Sequence, residues 1–206
     1  MPVVLHLERA GGRISVSRTP VLEAAVAAVL AVCLDPRAAP GGEWYDAVAT
    51  WMATPIRKIT RRARGAYWDA VQELPGVTCE VDGAQVRALL PGPVDEVPKV
   101  VSRLQIGGTD LEPDEPGEPS PGVPVIWLNP ALKMTVGKAA AQVGHAAMLF
   151  AAAHALTEVP PFAVRPAHPV LWATLCAAAD RGGAVPVRDA GVTEVEPGTI
   201  TCIAIT

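Results

Sequence analysis

Aromatic residues are scarce in this chain: two Phe, two Tyr and five Trp among 206 residues. Half the residues are hydrophobic, so alanine and valine must carry the core, which favours close packing of helices on sheets. Positive charge is not in excess either. Seventeen Lys and Arg against 21 Asp and Glu leave a formal charge of −4, which excludes nucleic-acid binding through global charge and leaves only a local basic patch. Cysteine is limited to Cys33, Cys79, Cys176 and Cys202. They are scattered, form no CxxC and have no histidine at zinc spacing, so they read as reduced thiols rather than a disulfide frame or a metal site. No apolar stretch is long enough to span a bilayer: the longest, Val21–Leu34, contains Glu23. Charges follow soon after Met1-Pro-Val-Val-Leu-His, so no signal peptide is expected. Together these point to a cytoplasmic protein with no membrane contact.

What is present alternates strand and helix. Val3–Leu7 reads as a strand and Thr19-Pro20 opens a helix over Val21–Leu34. Glu43–Met52 reads as a second helix, Ile56–Arg64 as a basic strand and Tyr67–Leu74 as a short helix. Val77–Val81 and Gln85–Leu90 flank Asp82-Gly83, a pair suited to the positive φ angles of a tight hairpin. Val94–Leu104 reads as a further helix. Residues 107–124 are acidic, proline-rich and poor in apolar side chains, the composition of an extended linker. Beyond it the order restarts: strand Val125–Leu128, helix Lys138–Leu156, strand Phe162–Arg165, helix Pro169–Asp180, strand Ala184–Arg188 and strand Thr199–Ile205.

The expected organisation is therefore a half over 1–106, a linker over 107–124 and a half over 125–206. Pro75-Gly-Val-Thr-Cys-Glu-Val81 is similar to Ala190-Gly-Val-Thr-Glu-Val195, and Trp68 and Trp172 hold comparable places. The reading is a degenerate internal duplication; chance likeness of two Ala/Val-rich segments is the alternative.

One stretch carries chemistry. In Met134-Thr-Val-Gly-Lys-Ala-Ala-Ala-Gln-Val-Gly-His-Ala-Ala-Met148, Thr135 is placed to cap a helix. Lys138, Gln142 and His145 then fall on one helical face. The free N–H groups of the first turn offer an anion site beside Lys138. The plain alternative is a solvated face with a core histidine.

Two motifs resemble the type-2 (archaeal and eukaryotic-type) peptidyl-tRNA hydrolase family. Leu132-Lys-Met-Thr-Val-Gly-Lys-Ala-Ala-Ala-Gln-Val-Gly-His-Ala146 is close to the family's L-K-M-x-x-G-K-x-A-A-Q-x-x-H-A. Val187-Arg-Asp-Ala-Gly-Val-Thr-Glu-Val-Glu-Pro-Gly-Thr199 is close to its R-D-A-G-x-T-x-x-x-P-G-T. The resemblance spans about 122–206 and implies an α/β fold: a small mixed β-sheet flanked by helices. The two halves are expected to form an intramolecular pseudo-dimer, with room for a further homodimer.

The implied reaction is hydrolysis of the ester between a peptide and tRNA, with peptidyl-tRNA as partner and neither cofactor nor metal. The residues that match the family's catalytic positions are Lys138, Gln142, Asp189 and Thr193. Lys138 would stabilise an oxyanion or hold a phosphate, Gln142 would orient the carbonyl or water, Asp189 would align or activate water, and Thr193 would hold Asp189 or the substrate. As plain structural residues, Asp189 would cap a turn and Thr193 would make a turn bond.

His145, Lys133 and Arg188 are carried over as substrate or tRNA contacts. Arg57, Lys58, Arg61, Arg62 and Arg64 form a compensating basic run in the first half; a solvated strand edge that resists aggregation is the alternative. The match departs from the family at Asn129-Pro130-Ala131, where an Arg-Thr-Asp run is usual. It departs again at Val136, at Val192 and near Pro161, so several phosphate-binding positions are neutral. A non-catalytic tRNA- or RNA-binding module, or a protein-interaction module on the same fold, are the competing readings.

Overall fold

The computed structural model describes all residues except Gly12, Val192 and Thr193. The first half runs β1 (Pro2–His6), the two-residue strands β2 (Arg9–Ala10) and β3 (Arg13–Ile14), α1 (Arg18–Cys33), α2 (Tyr45–Met52), β4 (Ile59–Ala63), α3 (Ala66–Gln72), β5 (Gly76–Val81), β6 (Ala84–Leu89) and the single turn α4 (Lys99–Ser102). The second runs β7 (Val125–Leu128), α5 (Val136–Ala153), β8 (Ala163–Pro166), α6 (Pro169–Asp180), β9 (Val185–Arg188) and β10 (Ile200–Ile205).

Each half forms one four-stranded mixed sheet, and the strand orders correspond: β4-β1-β6-β5 and β8-β7-β10-β9. In both, the first strand pairs parallel with the strand after the long helix and antiparallel with the last strand. The protein is thus α/β with two similar sheet-and-helix halves. Pro2↔Ile59 in one sheet answers Val125↔Ala163 in the other. Val3↔Ala88 answers Ile126↔Ala204.

Helices α1 and α5 lie side by side between the two sheets. Their small side chains allow this: Gly144 is so close to Val29 that a Cβ there would sit 3.0 Å from Val29 Cγ2. Apolar residues surround α1 on all sides, as a helix enclosed by two sheets requires. Ala24, Ala25, Ala28, Val29 and Leu30 are all inaccessible. One core joins α1 and α5 to the inner sheet faces, through Val3, Leu5, Ile126 and Cys202 among others. Trp68 and Val71 of α3 cover the outer face of the first sheet, and Leu175 and Trp172 of α6 cover that of the second.

The halves also exchange a partly buried ion pair. Glu23 of α1 accepts from the backbone N–H of Val164 at 3.0 Å and from Arg165 Nη1 at 2.7 Å on β8.

Three sequence expectations change. Residues 94–104 hold only a 3-10 turn (Val94–Glu96) and α4, because Pro98 cannot continue a helix and instead caps the second turn. The small β2–β3 pair was not expected. The likeness of 75–81 to 190–195 joins a strand, β5, to residues beyond the end of β9; the sheet registers set β5 against β9 itself.

Segment 107–124 carries no helix or strand but is tied down at several points. Thr109 is buried, and its hydroxyl accepts from Gly137 N–H at 3.2 Å. Asp114 accepts from both the N–H (2.8 Å) and the hydroxyl (2.7 Å) of Thr19. It thereby supplies the cap that Ser17, at the N-terminus of α1, does not provide. Gly117 C=O accepts from Arg165 at 2.7 Å. The segment therefore crosses the N-terminal ends of both central helices.

Candidate active site

Thr135 caps α5, its hydroxyl accepting from Lys138 N–H at 3.2 Å. This starts the helix so that Lys138 and Gln142, one turn apart, both face the end of β9. There Asp189 follows the strand. Its backbone is held by Asp189 N–H to Thr199 C=O (2.9 Å) and Gly198 N–H to Asp189 C=O (2.7 Å). Lys138 Nζ lies 2.5 Å from Asp189 Oδ2, and Gln142 Nε2 donates to the same oxygen at 2.8 Å. Oδ1 accepts from Gly191 N–H at 2.8 Å. That bond is an Asx turn, so the structural role expected of Asp189 and the convergence on α5 coexist. Gly191 has φ +75°, and a Cβ there would run into Pro197, so the turn beneath the carboxylate requires glycine.

The Lys138 and Asp189 side chains are 10% and 5% exposed, so this charge pair is well shielded from solvent and acts at short range. Behind it, the fully buried Thr201 hydroxyl donates to Gln142 Oε1 at 2.6 Å. Cys202 Sγ lies 3.6 Å from the Gln142 carbonyl oxygen, and burial pushes this thiol up to about 12. It is therefore a packing group and not a nucleophile at neutral pH.

The anion site expected at the start of α5 is filled by the protein itself. Thr109 takes Gly137 N–H, Thr135 takes Lys138 N–H, and the Glu194 carboxylate takes the N–H of Thr135 at 3.0 Å and its hydroxyl at 2.7 Å.

Of the expected catalytic residues, Lys138, Gln142 and Asp189 come together; Thr193 lies outside the described residues. His145 does not join them. It sits on the seam between the halves, where burial and the nearby Lys58 ammonium lower its pKa to about 4, so it is neutral at physiological pH and offers no charge to a phosphate. Lys133 and Arg188 are exposed, and Arg188 Nη1 reaches Gly198 C=O at 3.4 Å.

The basic run is only partly a surface. Arg57 and Arg64 are exposed. Arg61 donates to Leu104 C=O at 2.7 Å, and Arg62 to Gly107 C=O at 2.9 Å and to the Gln105 side chain. Lys58 is not a surface cation: its Nζ is buried without a hydrogen-bond partner, 5.3 Å from the Trp51 ring centroid, and desolvation lowers it to about 8.

Sequence reasoning missed Thr201, Thr109 and Glu194. Thr201 left one signal: it is the only hydroxyl between Ile200 and Ile205, in an otherwise apolar strand. Among the described residues, no group of three or more His, Cys, Asp and Glu side chains is placed to hold a metal ion. Nor, among the described residues, is any helix long and apolar enough to cross a membrane. No family model, curated protein or solved structure matches the chain.

Proposed function

We propose that the chain hydrolyses the ester joining a peptide or N-blocked amino acid to the 3′ end of tRNA, on a type-2 peptidyl-tRNA hydrolase-like fold. The observation that carries this reading is the meeting of Lys138 and Gln142 on the Asp189 carboxylate, in the two segments that carry the family resemblance. Ester hydrolysis needs a base for water and a donor for the developing oxyanion. In this reading water attacks the carbonyl carbon and gives its proton to Asp189. The Lys138 ammonium stabilises the oxyanion. The tetrahedral adduct then collapses, the C–O bond to the ribose breaks, and the leaving oxygen recovers the proton.

A second reading, tRNA binding without cleavage, is favoured by one observation: Asp189 is nearly enclosed. Release of an N-blocked aminoacyl group from tRNA separates the two. Cleavage by the parent that falls by about a hundredfold or more in Asp189→Asn supports hydrolysis, by the usual magnitude of a lost general base. Binding at low salt with no cleavage supports the second reading. Neither signal removes both.

A further inference from the structure

We infer that Thr201 is a positioning residue for the site: its hydroxyl fixes the Gln142 amide with nitrogen toward Asp189, and so leaves Oδ1 as the carboxylate oxygen open to a proton. This deepens the hydrolase reading and rests on it for its kinetic part. An amide side chain can present either its nitrogen or its oxygen, and nothing in Gln142 itself decides which. Thr201 decides it. Of the acceptors near its hydroxyl, Gln142 Oε1 at 2.6 Å is closest, against Val187 C=O at 3.4 Å and Cys202 Sγ at 3.9 Å. With Oε1 engaged, Nε2 is held against Asp189 Oδ2. That oxygen then takes both Gln142 and Lys138, while Oδ1 takes only Gly191 N–H among the described residues.

The fold makes a local exception to aim Thr201. Cys202 and Ala204 face inward and Ile203 outward, so strict alternation would send Thr201 to the outer face. Instead the β9–β10 register shifts between Ile200 and Cys202, and the unpaired residue is Thr201. A bulge of this kind re-aims one side chain. The corresponding pair β5–β6 runs without a shift from Gly76↔Leu89 to Val81↔Ala84. Its residue at the Thr201 position, Gln85, bonds His6 Nδ1 at 3.0 Å, whose ring stacks on Trp68 of the outer layer. The bulge thus belongs to the half that has Gln142, and is missing from the half that has Ala24 at that place.

The test uses Thr201→Val, which keeps the shape and removes the donor, and Thr201→Ser, which keeps the donor. Two readouts are taken. The first, independent of activity, is the solvent-exchange rate of the Gln142 side-chain amide protons by NMR. Thr201→Val should accelerate it and Thr201→Ser should return it toward the parent; equal rates in all three overturn the inference. The second is ester cleavage. Thr201→Val should lower kcat by roughly tenfold with KM little changed, the scale of one lost hydrogen bond, and Thr201→Ser should recover it. In a Gln142→Met background Thr201→Val should cost nothing further, because its effect passes through Gln142. A full additional loss there overturns the inference. Absence of cleavage by the parent sinks the hydrolase reading instead, and the amide exchange still decides the role of Thr201.

Discussion

Helices α1 and α5 occupy equivalent places in two sheets of one topology, yet only α5 carries the Lys and Gln of the candidate site. Counting from the N-caps Ser17 and Thr135, Pro20 stands where Lys138 stands, Ala24 where Gln142 stands and Ala27 where His145 stands. The sheet registers place Val81 at the Asp189 position. Lys138, Gln142 and Asp189 thus each have an apolar counterpart, and the first half closes over this place as packing. The difference teaches that the fold does not need the site. Its core is made by Ala and Val on both sides, and the charged pair is an addition to one half.

The comparison breaks most sharply where the halves touch. Glu23 has no counterpart on α5, where Ala141 stands, so the Glu23–Arg165 pair is one-sided. Glu23→Ala leaves Val164 N–H without its acceptor and Arg165 without its carboxylate, and should cost about 2–4 kcal/mol, the scale for removing one partner of a largely buried pair. Urea unfolding reads this directly. Arg61, at the matching place on β4, bonds backbone carbonyls and, among the described residues, no carboxylate, and Arg61→Ala should cost less.

Lys58 sharpens the comparison from the other side. The residue at its place before β8 is Phe162, packed edge-on against Phe150. Lys58→Met should therefore stabilise the protein at pH 7 by about 1–3 kcal/mol, since it removes a buried, unpartnered ammonium. The sign follows from its folded pKa of about 8 against an ordinary 10.5. Below pH 8 both states hold the proton and the full penalty stands. Between pH 8 and 10.5 the unfolded chain alone holds it, so parental stability rises and the advantage of Lys58→Met shrinks. A thermal melt series across this range checks both points.

The smallest effect is expected at His145, facing Lys58, where α1 has Ala27. Its folded pKa is about 4 against 6.5. Between those values the unfolded chain binds the extra proton, so acidification through this window destabilises the parent. His145→Gln should flatten that slope by roughly 1–2 kcal/mol over the window, after allowance for partial exposure. Denaturant midpoints at pH 4.5 and 6.5 give the difference.

Much of this was legible in the residues. The apolar runs gave β1, β7 and β10. Asp82-Gly83 gave the β5–β6 hairpin, with Asp82 at φ 46° and Gly83 at φ 79°. The Lys138–Gln142 spacing and the second motif gave three residues that do meet. What periodicity does not carry is which partner covers a face. It placed Lys58 and His145 on faces offered to substrate, whereas the opposing half buries them. A bulge changes one side chain's direction without changing composition, so Thr201 was read as one more strand residue. Segment 107–124 was read from composition as a spacer, and composition does not reveal that Thr109 and Asp114 would find unfilled N–H groups at two helix starts. Pro98, by contrast, stood in plain view within the stretch read as a helix over 94–104, and that reading gave its missing N–H no weight.

The central claim is that one half keeps a hydrolytic site and the other keeps its scaffold. The measurement that tests it most directly is the rate of N-blocked aminoacyl-tRNA cleavage by the parent, by Lys138→Met and by Pro20→Met, the same change at the equivalent place in the other helix. The account predicts cleavage by the parent, loss of about a hundredfold or more in Lys138→Met, and a parental rate in Pro20→Met. Equal rates in the two variants, or no cleavage by any of the three, would contradict it.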